Sequence, residues 1–159
     1  MTAIEQPFEK VRRKLVVARI EFMAQLAKFS EEELVQRPAD GGWSALQLAH
    51  HLYIADALFL EQLQSIQEED NPLVEDSAAV APGRTEEAET PASLDAVLAG
   101  MAARREEIFE YLSTLPADAW ERPFRHAQWG ESKFYQLANL IATHDKLHTQ
   151  QLAELKAAL

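Results

Sequence analysis

The chain has 159 residues, 47% of them hydrophobic, with 26 acidic against 15 basic side chains, a formal net charge of −11 and no cysteine. That length suits one buried core and a single domain over 1–159. The acidic balance argues against nucleic acid and anionic membrane surfaces as partners, and the missing cysteines remove disulfides, thiolate ligands and cysteine nucleophiles together.

Residues 1–14 mix Glu5, Glu9, Lys10, Arg12 and Arg13 with apolar residues, unlike a signal peptide, and no run is long enough to span a bilayer. A cytoplasmic protein is expected, in which a metal would be held by nitrogen and oxygen. Periodicity predicts four helices and no convincing strand. In the first, Phe8, Val11, Leu15, Ala18, Phe22, Leu26 and Phe29 step by three and four, so a helix is expected from about Pro7 to Phe29. The breakers Arg37-Pro38-Ala39-Asp40-Gly41-Gly42 end that region. Ser44 and Gln47 then form a capping box, with Trp43 and Leu48 placed to staple it. The second helix follows Leu48, His51, Ala55 and Leu58 and fades near Gln67. Residues 68–90 hold Pro72, Pro82, Gly83 and many acidic side chains with little periodicity. They read as a long crossover between parallel helices.

Thr90 as N-cap and Pro91 at the first helical position are expected to open the third helix, with the stripe Leu94, Val97, Met101, Ile108, Leu112 and Leu115. Arg105 falls within this stripe, where it either snorkels to solvent, the commoner fate, or meets an anionic ligand group. Residues 116–131 are irregular but carry Trp120, Phe124, His126 and Trp129, which suits a loop packed over one end of the bundle. The last helix starts near Ser132 and repeats Phe134, Leu137, Ile141, His144, His148, Gln151 and Leu155 along a buried seam.

Two histidines in successive seam positions carry the chemical argument. A buried imidazole must be hydrogen-bonded or coordinated, and residues i and i+4 lie one above the other on one face. His144 and His148 can therefore converge on one ion, and a third nitrogen would come from the second helix. Periodicity does not choose between His50 and His51 for that role. Three nitrogens would leave positions open to water or substrate, the arrangement catalysis uses. The zincin pattern does not fit, because Asp145 stands where a glutamate base belongs and only 11 residues follow His148. A di-iron bundle needs Glu-x-x-His on two helices, and Gln47, Leu48, Ile141 and Asp145 occupy the positions three before the histidines. Asp145 lies about 100° around the helix from His144, and neither it nor Asp56 or Glu61 is singled out as a general base.

The run Ser30-Glu31-Glu32-Glu33-Leu34, Arg37-Pro38, Gly42-Trp43-Ser44 and His51-Leu52, followed by Phe124-Arg125-His126, Gly130 and His144-x-x-x-His148-x-x-Gln151, resembles the DinB/YfiT-like superfamily of metalloenzymes. The resemblance covers about residues 7–156. It implies an all-α, up-down-down-up four-helix bundle with a long crossover between helices 2 and 3, often a homodimer. It also implies a divalent nickel or zinc ion bound by His51, His144 and His148, since the Trp-Ser to histidine spacing selects His51 over His50. His126 matches a His-Pro element of the YfiT-like branch, with Ala127 in place of the proline, and a hydrogen bond within its loop is the expected role. The function so implied is a thiol-dependent S-transferase or hydrolase acting on a small molecule, with a low-molecular-weight thiol as co-substrate. The alternative is a non-catalytic, stress-related metal-binding or scaffold bundle.

Overall fold

The computed structural model describes residues 5–89, 91 and 93–159. Helix α1 spans Pro7–Leu26, with Pro7 in the first turn, where a missing N–H is harmless. Its predicted stripe is the buried one: Val11, Leu15, Ala18, Phe22 and Leu26 face the core, and Phe29 follows just past the helix end. A short helix α2, Glu31–Val35, is closed by a capping box between Ser30 and Glu33. Lys156 Nζ reaches the Glu33 carboxylate at 2.7 Å and ties it to the far end of the chain. Helix α3, Ala45–Glu68, starts at the expected Ser44–Gln47 capping box.

The crossover is not the structureless connection the breakers suggest. It holds a two-residue strand β1, Leu73–Val74, and an 11-residue helix α4, Ser77–Glu87, capped by the Asp76 carboxylate accepting from the Ala78 N–H. Ser77, Ala81 and Thr85 form its buried face. Small and polar side chains give that face no hydrophobic signal, and Pro82 inside the helix masks it further. Helix α5 spans Leu94–Ser113 and takes its cap from Ser93, whose hydroxyl accepts from the Ala96 N–H. The helix thus opens three residues later than predicted, Pro91 precedes it, and Thr90 lies outside the described residues.

The aromatic loop also contains unpredicted structure. A 3-10 turn at Ala117–Glu121 leads into β2, Pro123–His126, and β3, Gly130–Lys133. Strands β2 and β3 pair antiparallel, and β1 adds parallel to β2 with Val74 opposite His126. Gly130 leaves the hairpin turn at φ 76, where a side chain would be strained. Ser132, expected near the start of the last helix, belongs to β3, and α6 runs from Phe134 to Ala158. Strands this short carry too few residues for alternation to register in sequence. As expected, the loop packs on one end of the bundle: Trp120 and Phe124 are buried, and Trp120 meets Phe134 edge to face at 5.3 Å.

Helices α1, α3, α5 and α6 form an up-down-down-up bundle. Lys14 bonds Asn139 and Arg19 bonds Asp145, so α1 and α6 run parallel. Tyr53 lies on Gly100 and Asp56 binds Arg105, so α3 and α5 also run parallel. The apolar interior falls into two clusters along the bundle axis. One is built on Leu15, Phe59, Leu63, Ile108, Phe124 and Phe134, the other on Phe22, Leu48, Leu52, Met101 and Leu152. Among the described residues, no helix is long and apolar enough to cross a membrane.

Candidate metal centre

Between the two apolar clusters, α3 contributes His51 and α6 contributes His144 and His148. One nitrogen from each comes within 4.8 Å of the others. The His144 Nε2 lies 3.2 Å from His51 Nε2 and 3.0 Å from His148 Nε2. His51 and His148 are buried and His144 is half-buried. Trp43 lies against the His51 ring at 4.8 Å, and Phe59 presents its edge to His144 at 5.4 Å. His50, the alternative that periodicity left open, is outside the cluster and stacks on Tyr53 at 6.1 Å.

The outer ring nitrogens show what the inner ones can do. Thr85 Oγ1 donates to the Ala81 carbonyl at 2.9 Å, so it accepts from His51 Nδ1–H, also at 2.9 Å. In the amide orientation of this structure, Gln151 Oε1 accepts from His148 Nδ1–H at 2.8 Å. A neutral imidazole has one N–H, so both Nε2 atoms turn lone pairs toward His144. His144 Nε2 carries at most one hydrogen, and at least one of the two short N···N contacts therefore has no proton in it. A cation resolves that clash. Zinc–imidazole bonds of about 2.0–2.1 Å separate two nitrogens by about 3.3 Å at a tetrahedral angle and about 2.9 Å at a right angle. The two spacings to His144 match these values, and an all-imidazole donor set suits a first-row transition metal or zinc.

The electrostatics keep the cluster neutral. Burial, then His148 and His50, push His51 down to about 3. Burial, its two histidine neighbours, Arg19 and Arg105 push His144 down to about 2. His148 is also lowered by burial, against the opposing pull of Gln151 and Asp145. Unprotonated imidazole is the ligand form.

A second buried polar cluster lies beside the first, and sequence reading missed most of it. Arg105 does not snorkel to solvent. Its Nε and Nη2 take both oxygens of Asp56 at 3.2 Å, and Nη2 also reaches Asp145 at 3.1 Å. Arg19 bonds the same two carboxylates, Asp56 at 3.1 Å and Asp145 at 3.2 Å. Each of the four long helices thus supplies one charge. Burial alone would weaken the Arg105 charge, but Asp56 and Asp145 outweigh it and raise its proton affinity. The one sequence signal was a charged residue in an apolar stripe. Glu61 lies elsewhere, exposed and paired with Arg84 at 3.1 Å.

His126 takes the loop role expected of it. Its Nδ1 accepts from the Gln128 and Trp129 N–H groups at 3.1 and 3.2 Å, and its ring stacks on Trp129 at 3.8 Å.

The family model of the DinB superfamily matches residues 14–152. The chain is 26% identical over 151 residues to the uncharacterized protein YuaE of Bacillus subtilis, spanning 87% of this chain and 93% of that one. Among solved structures, YfiT from Bacillus subtilis is described as a probable metal-dependent hydrolase with an unusual four-helix bundle topology. It superposes at a TM-score of 0.75 with 19% identity, over 99% of this chain and 90% of that one. The colibactin self-resistance protein ClbS, solved in complex with dsDNA, gives 0.74 at 12% identity over 99% of each chain. A mycothiol-dependent maleylpyruvate isomerase gives 0.69 at 16% identity, over 96% of this chain and 63% of that one. Structural likeness at these identities shows a shared fold.

Proposed function

The chain belongs to the DinB superfamily, and from that premise we propose a metal-dependent enzyme acting on a small molecule, a thiol-dependent S-transferase or hydrolase. Its divalent ion, nickel or zinc, is held by His51, His144 and His148. The observation that carries this reading is the approach of three neutral imidazole nitrogens with too few protons to satisfy one another. The descriptions of YfiT as a probable metal-dependent hydrolase and of the isomerase as mycothiol-dependent support the reaction class.

When bound, the ion would act as a Lewis acid, lowering the pKa of a water or thiol so that it becomes the nucleophile at neutral pH. The chain supplies the rest. Trp43 and Phe59 wall the cluster and limit water. Asp56 and Asp145 are each bound by two arginines, so neither is assigned as the general base. The proton given up by the nucleophile passes to solvent or to the substrate.

The net charge of −11 favours a small-molecule partner over nucleic acid, although the same fold occurs with dsDNA in ClbS. A homodimer belongs to this reading, and the exposed Val17 and Ile20 on α1 offer it apolar surface. One observation favours a non-catalytic bundle instead: two apolar clusters and the Arg–Asp network join the helices without an ion. Metal analysis of untagged protein, followed by a thiol-transfer screen against electrophiles, separates the readings. The enzyme reading expects turnover that chelation removes and metal restores. A protein that binds metal without turning over any electrophile would be a binding bundle, and one that binds no metal would be a scaffold and would end the enzyme reading.

A further inference from the structure

Resting on that reading of the site, we infer that Thr85, on the crossover helix α4, is the positioning residue of the metal centre. It fixes His51 in its Nδ1–H tautomer so that the Nε2 lone pair faces His144. The Thr85 hydroxyl has one proton, and that proton is engaged by the Ala81 carbonyl at 2.9 Å, an i−4 bond within the same helix. With its proton so engaged, the oxygen accepts from His51 Nδ1–H at 2.9 Å. Among the described residues the buried His51 has no second partner at Nδ1, so the hydroxyl sets which nitrogen carries the hydrogen. With the other tautomer, Nδ1 would face Thr85 with two lone pairs opposed, and Nε2–H would point into the space an ion needs.

The position of α4 supports this role. Its buried face ends at Thr85, and the next residue, Glu86, accepts the indole N–H of Trp43 at 2.6 Å. Trp43 in turn lies against the His51 ring at 4.8 Å, tilted by 40°. The imidazole is thus held at Nδ1 by Thr85 and packed by Trp43, both tied to α4. Gln151 holds His148 by the same chemistry, but an amide can turn its NH2 to the ring and does not dictate the tautomer. Outer partners of this kind typically change metal affinity about 10- to 100-fold when removed.

Thr85→Val preserves shape and removes the acceptor, and Thr85→Ser keeps it. Long-range 1H–15N spectra of the metal-free proteins read the His51 tautomer directly. Wild type and Thr85→Ser are expected in the Nδ1–H form, and Thr85→Val in a mixed or Nε2–H form. Zinc affinity by chelator competition should fall about 10-fold in Thr85→Val and recover in Thr85→Ser. A residue that only fills space would leave the tautomer unchanged in both variants, and that result overturns the inference. If Thr85→Val does not fold, Thr85→Ala removes the same acceptor and is read the same way. Failure of wild type to bind either zinc or nickel would defeat the proposed function, while the metal-free spectra would still decide the role of Thr85.

Discussion

Two polar clusters lie side by side in the bundle, and they solve the problem of burial in opposite ways. Arg19, Asp56, Arg105 and Asp145 bring two positive and two negative charges, with every carboxylate oxygen bonded to a guanidinium. That cluster is complete as it stands, and its work is to fix the relative placement of α1, α3, α5 and α6. His51, His144 and His148 bring acceptors that face one another, with outer nitrogens of two rings already committed to Thr85 and Gln151. A buried group that satisfies itself points to architecture. One left short by its neighbours points to a ligand.

The sharpest way to test that contrast is to damage each cluster in turn. His148→Ala should abolish metal binding while far-UV circular dichroism stays helical, since one core substitution costs about 1 to 3 kcal/mol. Metal content by plasma emission is the readout, and unchanged content would show that the ion sits elsewhere. Arg105→Ala attacks the other cluster and leaves Asp56 and Asp145 sharing Arg19 alone. Urea unfolding of the metal-free protein should show a loss of about 3–5 kcal/mol, the cost of stranding buried charge. A loss below about 1 kcal/mol would mean the network is not desolvated as the structure shows.

Acid should weaken the histidine cluster first. Burial holds His51 at about 3 and His144 at about 2, against an ordinary value of 6.5. The unfolded chain therefore binds protons below about pH 6.5 that the fold refuses. Stability of the metal-free protein is fully present above that pH and falls as the pH drops toward 3. Replacing His51 and His144 together with glutamine should flatten the dependence, measured by thermal melts between pH 7 and 4, and an equally steep slope in the double variant would contradict the assignment. The smallest effect belongs to His126→Phe. Losing the acceptor for two loop N–H groups should cost about 1–2 kcal/mol and leave zinc affinity within about twofold, because this histidine lies outside the cluster.

What could be read in sequence followed the strength of the periodic signal. The long helices show clean stripes of Leu, Val and Phe, and Ser44 with Gln47 announced its cap. The pair His144 and His148 was legible because imidazoles in an apolar seam need a reason. His51 needed more, since His50 fits its own face equally well and only the resemblance chose between them. Helix α4 was hidden because Ser77, Ala81 and Thr85 make a buried face without large apolar residues. Asp56 and Arg19 were hidden for a related reason. Each is buried by a partner far away in the chain, and no local pattern reports a contact between helices.

The central claim is that three imidazoles share one ion. X-ray absorption on untagged protein loaded with zinc or nickel counts those ligands directly. The account predicts one ion per chain with three imidazole nitrogens in its first shell, and no bound ion once His51, His144 and His148 are all alanine. A shell with fewer than three imidazoles, or an ion that persists in the triple variant, would contradict it.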